Sequence, residues 1–303
     1  MKDYRRIIEQ RITEDDYPRE AKEEILAAYD RLASVPRAFR LFSNVVWMYD
    51  EGVEFSIKNT VHRGREACAL AGVDPRMGLL LIFLAMSDTM HKRYREKGFS
   101  EDMFKGAVLD YKWKLLECKA WDGVWGILPF EWFDRFLDGT RPVLGRLQYE
   151  IVYSPMAYKS GEYSIEKSDP VVNMHIPSSG PLTPDSVMES FREAERFYAP
   201  LFGGGAVPFM CSSWLLAPFH GRILPETSNI RRFGEMFDVV KVNPDEEGGC
   251  LVRIFNQRYQ GDPSVLREDT SLQRAYKQYL MRGEKACSAV GFFFMKDGKL
   301  IKG

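Results

Sequence analysis

The stretch "VVNMHIPSSGPLTPDSVMESFREAERFY", Val171 to Tyr198, holds the decisive change of texture in this 303-residue chain. An apolar run that ends at His175 reads as a strand, and Ile176 to Leu182 reads as a loop of Pro, Ser and Gly. Thr183 then stands as the cap of an amphipathic helix, with Val187, Phe191, Ala194 and Tyr198 on one face. A loop between a strand end and a helix start presents unpaired N–H groups at the positive end of the helix dipole. That is a natural seat for an anion.

Working outward, the chain divides into two textures. Before Trp121 the apolar residues recur at helical spacing, as in Ile25, Ala28, Tyr29 and Leu32, or Phe39, Phe42, Val46 and Tyr49. Asp74 and Pro75 open a further helix that Gly98 stops, and Ser100 caps another. The run "MGLLLIFLAM" (Met77 to Met86) is about half of the roughly 20 residues that a membrane span needs, so it reads as a buried helix. After Trp121, "RPVLGRLQYEIVYSP", "GEYSIEK" and "DPVVNMHIP" read as three successive strands. Beyond the opening stretch, "AVPFMCSSWLLAP" reads as a central strand and "SNIRRFGEMF" as a helix capped by Ser228. "FDVVKV" and "GCLVRIFNQ" read as an antiparallel pair joined by the acidic turn "NPDEEGG". A capped helix in "DTSLQRAYKQYLMRG" follows, and a hairpin over Asp297-Gly298 closes the chain. The fold class is α+β: a helical domain at 1–122 and a mixed α/β domain at 123–303, with one strand–helix–strand crossover.

Composition excludes several functions. A net charge of −1 and pI near 6.5, without a long basic run, give no general attraction to nucleic acid or acidic lipid. The five cysteines are scattered, with none at metal-ligand or redox spacing, and His62, His91 and His220 show no ligand spacing either. The charged N-terminus has no apolar signal core. The expectation is a soluble, cytoplasmic protein with no metal, no nucleic-acid partner and no membrane partner.

The segments "LGRLQYE" (Leu144 to Glu150), "HIPSSGPLTP" (His175 to Pro184) and "CSSWLL" (Cys211 to Leu216) carry a resemblance, together with "LPETSNIRRF" (Leu224 to Phe233) and "DTSLQRA" (Asp269 to Ala275). In this order and spacing they are similar to a bacterial family of predicted acyltransferases. In that family an all-helical N-terminal domain precedes a GNAT-like C-terminal domain. The resemblance implies acetyl-CoA or another acyl-CoA as donor and a small-molecule or peptide amine as acceptor. Direct attack on the thioester would be assisted by backbone amides.

It also implies site residues. Asn173, Met174, His175 and Ile176 would line the pantetheine arm, and Ser178, Ser179, Gly180, Leu182 and Thr183 would meet the pyrophosphate. The chain departs from the usual superfamily signature: the loop has one glycine, and Pro181 removes an amide donor. His175 is the candidate base, because an imidazole titrates near neutrality. Glu226 and Tyr149 are further catalytic candidates, Asn229 a further CoA contact, and Glu150, Ser212 and Trp214 acceptor-side contacts. Arg231 and Arg232 could meet a phosphate or an acceptor carboxylate. Two rival readings stand beside the enzyme: a non-catalytic module that binds CoA or another ligand, and an acyl-enzyme on Cys211 with His175 as base. The helical half covers the acceptor site or forms a homodimer, and its residues do not choose.

Overall fold

The computed structural model describes residues 2–53, 55–245 and 248–303. Two compact units divide between Arg141 and Pro142.

The first unit is helical: α1 (Tyr4–Glu14), α2 (Arg19–Ala33), α3 (Pro36–Glu51), α4 (Ile57–Ala71), α5 (Pro75–Ala85), α6 (Ser87–Glu96), α7 (Glu101–Asp122) and the single turn α8 (Asp134–Leu137). α5 is its axis. Nine consecutive residues, Met77 to Ala85, are buried, and α1 to α4 pack around them. The Asp74 side chain caps α5 by accepting from the Arg76 N–H, and Pro75 fills the first turn, where an N–H would have no partner. The single helix expected from Pro75 to Gly98 is two helices that part at Met86.

The sequence boundary at 122/123 moves to 141/142 because residues 123–141 pack on the helices. Phe133 lies 5.2 Å from Phe83 and 4.9 Å from Tyr111, ring to ring. Tyr49 and Tyr94 donate their hydroxyls to the carbonyls of Leu137 and Phe136, at 2.8 and 2.9 Å. These bonds satisfy groups that would otherwise be buried without a partner.

The second unit holds β1 (Val143–Leu144), β2 (Leu147–Tyr153), β3 (Tyr158–Ser160), β4 (Tyr163–Ile165), β5 (Pro170–His175), α9 (Pro184–Tyr198) and β6 (Val207–Ser213). α10 (His220–Ile223), α11 (Asn229–Gly234), β7 (Asp238–Pro244), α12 (Leu251–Phe255), α13 (Ser271–Met281), β8 (Cys287–Lys296) and β9 (Lys299–Ile301) complete it. The sheet runs β1-β2-β5-β6-β8-β7, with β9 on β8, and β3-β4 is a separate hairpin. Among the described residues only β5 and β6 pair in parallel; they are the two ends of the crossover through α9.

Each face of the sheet has its own cover. On one face Phe191 of α9 packs on Phe209 and Phe293. On the other, Tyr158 and Ile165 from the β3-β4 hairpin cover Val171, Met210, Val290, Phe292 and Phe294. "GEYSIEK" therefore supplies β4 of that cover rather than a strand of the main sheet.

A second expectation also fails. "GCLVRIFNQ" forms α12, and β7 pairs with β8 instead. Leu251, Ile254 and Phe255 are buried at helical spacing in a cluster with Phe219, Leu266, Tyr276 and Tyr279, so the local apolar run served a helix. Glu246 and Glu247, in the acidic turn, lie outside the described residues. The closing hairpin forms as expected, with Asp297 and Gly298 both at positive φ.

Candidate active site

β5 and β6 pair only at Val172 with Phe209 and Asn173 with Met210. Beyond that point they separate. Met174 and His175 stay with β2, opposite Tyr149 and Gln148, while Cys211 to Ser213 stay with β8, opposite Gly291 to Ala289. The two strand ends thus face each other across a wedge with no ladder between them, and each leaves main-chain groups on its inner edge for another partner.

The period-two alternation of β2 and β5 sorts the side chains at this wedge. Glu150 lies directly opposite Asn173, and Gln148 opposite His175. His175 Nε2 lies 2.7 Å from Glu150 Oε1, and the carboxylate side chain is only 7% exposed. Asn173 Nδ2 lies 3.2 Å from His175 Nε2 and 3.5 Å from Glu150 Oε1. An ionised Glu150 can only accept, so in that state Nε2 carries the proton shared with it. Ser212 is exposed and shares the Met210 face of β6, so it belongs to the same side of the sheet across the wedge. This grouping is a carboxylate–imidazole pair beside two strand ends that share no ladder, in a partly enclosed setting.

The loop after β5 approaches the same end of the sheet. Ser178, Ser179 and Gly180 are exposed, Ile176 is half-buried, and Leu182 and Met174 turn inward. Gly180 has φ +136° with open space where a Cβ would stand, a conformation that side chains resist. Thr183 Oγ1 caps α9 by accepting from the Ser186 N–H, so its side chain is engaged within the helix rather than waiting for a ligand.

A residue outside the candidate set secures this loop. Arg146 Nε donates to the Pro181 carbonyl at 3.2 Å, and Nη2 to the Gly180 carbonyl at 2.6 Å. Its turn is pinned to α9 by Ser190, whose hydroxyl accepts from the Leu147 N–H at 3.2 Å and donates to the Leu144 carbonyl. Gly145, at φ +61°, passes so close to Ser190 that a Cβ would lie 3.3 Å from its Cα. "LGRLQYE" therefore splits its residues between two tasks: Gly145, Arg146, Leu147 and Tyr149 build the α9 side, and Glu150 reaches His175.

Several candidates move elsewhere. Tyr149 is fully buried on the α9 face, its hydroxyl 2.8 Å from Ser190 Oγ, and burial pushes its phenol well above the ordinary value. It is a packing residue, because alternation turns it away from Glu150. Glu226 is exposed, its carboxylate 3.7 Å from Arg231. Asn229 opens α11 behind the Ser228 cap, and Arg231 is engaged with Glu235 at 2.8 Å. Trp214 packs edge-on against His220 and Tyr276, in the cluster around α13. Cys211 is buried on the α9 side of β6, opposite to the face that carries His175. Burial alone pushes its thiol up to about 12.

Comparison with known proteins follows this division. Residues 8–139 match the model of an N-acyltransferase N-terminal domain, and residues 143–293 that of a GNAT-like C-terminal domain. The chain belongs to this acyltransferase family. No curated protein sequence matches it. Among solved structures, the acyltransferase is similar to one described as an acyltransferase in complex with decanoyl-CoA. The TM-score is 0.71 at 22% identity, over 93% of this chain and 85% of that one. A second, described as an acyltransferase in complex with CoA and 10C-teicoplanin, gives a TM-score of 0.69 at 22% identity over the same shares. At this identity the likeness establishes the shared fold. The junction between the two family domains, after residue 139 and before residue 143, coincides with the division of the structure.

Proposed function

We propose that this acyltransferase takes the acyl group of an acyl-CoA and passes it to an amine by direct attack on the thioester. The observation that carries this reading is the Glu150–His175 pair at the mouth of the β5–β6 wedge. Glu150 orients the His175 imidazole, which takes a proton from the acceptor ammonium and so frees the amine lone pair for attack. The wedge amides receive the thioester carbonyl and stabilise the oxyanion that develops there. As the N–C bond forms the C–S bond breaks, and the departing CoA thiolate takes up the proton removed from the amine; no protein nucleophile is needed, and Cys211 faces the other way.

The donor reading draws support from the similar structures, which hold decanoyl-CoA, octanoyl-CoA or CoA. The loop at Ile176–Thr183 takes the pyrophosphate, and Met174 to Ile176 contribute main chain to the pantetheine arm. Those structures widen the acyl group from the acetyl expected by resemblance to longer chains. Teicoplanin in two of the similar structures supports an amine on a large natural product as acceptor, beside simple and peptide amines.

The test is a screen of acetyl-, octanoyl- and decanoyl-CoA against amine pools, read by free thiol release and by the mass of the product. The reading predicts acceptor-dependent thiol release. Absence of CoA binding by calorimetry at millimolar ligand would overturn the donor assignment. CoA binding without turnover on any amine would favour the module that binds but does not catalyse.

A further inference from the structure

The Ile176–Thr183 loop contains no Lys, Arg or His. Pro177 and Pro181 remove two amide donors from it, and the first turn of α9 carries Asp185. On its own sequence it is a poor seat for a diphosphate. Arg146, contributed by the turn between β1 and β2, changes that balance. Nε and Nη2 hold the carbonyls of Pro181 and Gly180 on one side of the loop. In a trans peptide the C=O and the following N–H point in opposite directions. Fixing the Pro181 carbonyl on Arg146 therefore turns the Leu182 N–H to the opposite side, and the Gly180 carbonyl is kept from facing an incoming anion. The third guanidinium nitrogen, Nη1, is enclosed and has no hydrogen-bond partner among the described residues. Burial lowers the pKa of this guanidinium from its ordinary value, the mark of a cation held at some cost. Such a cation gains most when an anion comes near.

We propose that Arg146 is the positioning residue for the diphosphate of the donor: it sets the loop so that amides rather than carbonyls face the phosphates, and it supplies the positive charge that the loop lacks. The proposal rests on the acyl-CoA reading above. Ser190 makes it possible by fixing the turn from which Arg146 reaches.

The experiment compares two donors with the same acyl group, acyl-CoA and acyl-pantetheine, in wild type, Arg146→Met and Arg146→Lys. Melting temperature is measured for each protein. Arg146→Met should raise KM for acyl-CoA about tenfold or more while kcat and the acceptor KM stay within about twofold. Its KM for acyl-pantetheine, which lacks the diphosphate, should stay within about twofold. Arg146→Lys keeps the charge but loses the two-point grip, so it should fall between, and it carries the comparison if the Met variant does not fold. Equal losses with both donors would overturn the proposal in favour of a purely structural arginine, and an unchanged KM for acyl-CoA would overturn it outright. Wild type that uses both donors equally would overturn the diphosphate site and this proposal with it while leaving the acyl-CoA reading standing, whereas turnover with neither donor would fail that reading instead.

Discussion

Burial pushes the Cys211 thiol up to about 12, and the side chain lies on the α9 side of β6, while His175 and Glu150 lie on the other. A thiolate there would be costly to form and would face away from His175. Cys211→Ala should therefore keep its turnover, and mass spectrometry should find no acyl group on the wild-type cysteine. His175→Ala should lower turnover about 10²–10⁴-fold, the usual contribution of a placed base, with CoA affinity nearly unchanged. Turnover per folded molecule and a pH–rate profile check this. A lower melting temperature with full turnover would make His175 structural. Glu150→Gln should also slow turnover, because an amide can present its donor to Nε2 and favour the wrong tautomer. Gly180→Val should weaken CoA binding through the strain of a β-branched residue at φ +136°, measured by calorimetry.

Elements are held in place here by a few polar anchors. Ser190 links α9 to both strands of the first hairpin through Leu144, Leu147 and Tyr149. Ser190→Ala would leave the buried Tyr149 hydroxyl without its partner, at about 1–3 kcal/mol for a group left unsatisfied. Chemical denaturation should show that loss, and KM for the donor should rise because the Arg146 turn loosens. At the end of α1, burial raises the Asp15 carboxyl from its ordinary 3.8 to about 6, against the opposing pull of Arg11. The folded chain binds this proton more tightly than the unfolded chain. Its stabilising effect is therefore complete below the ordinary value and is lost as pH rises through about 6. Melting temperatures from pH 4 to 7 should fall less steeply in Asp15→Asn than in wild type, relative to each protein's value at the acid end. Parallel curves would mean that Asp15 titrates normally.

At the scale of the whole molecule, the division at Arg141 and Pro142 has a packing cause. Phe130, Phe133, Phe136 and Leu137 are all buried in the helical unit. A fragment ending at 122 would forfeit them, at about 1.5–3 kcal/mol for each side chain fully buried. It would also strand the hydroxyls of Tyr49 and Tyr94. A fragment of residues 1–141 should melt cooperatively and well above a fragment of residues 1–122. Equal melting would show that the segment is dispensable and restore the earlier boundary.

What the sequence determined by itself was local. Apolar spacing marked the helices before Trp121, the strand ending at His175, the capped α9 and the closing hairpin, because side-chain period and cap chemistry are properties of neighbouring residues. It did not reveal that "GCLVRIFNQ" would coil, since a short apolar run suits a strand or a helix until its partners are known. Nor could it distinguish Tyr149 from Glu150, adjacent residues whose roles depend on which face of β2 meets α9. Arg146 was visible within "LGRLQYE" but had no assignable task, because the carbonyls it holds lie 34 and 35 residues away. The pairing of His175 with Glu150, 25 residues apart, is likewise a matter of register between β2 and β5. Register is set by burial across the whole sheet, so only the tertiary structure could decide which polar side chains meet.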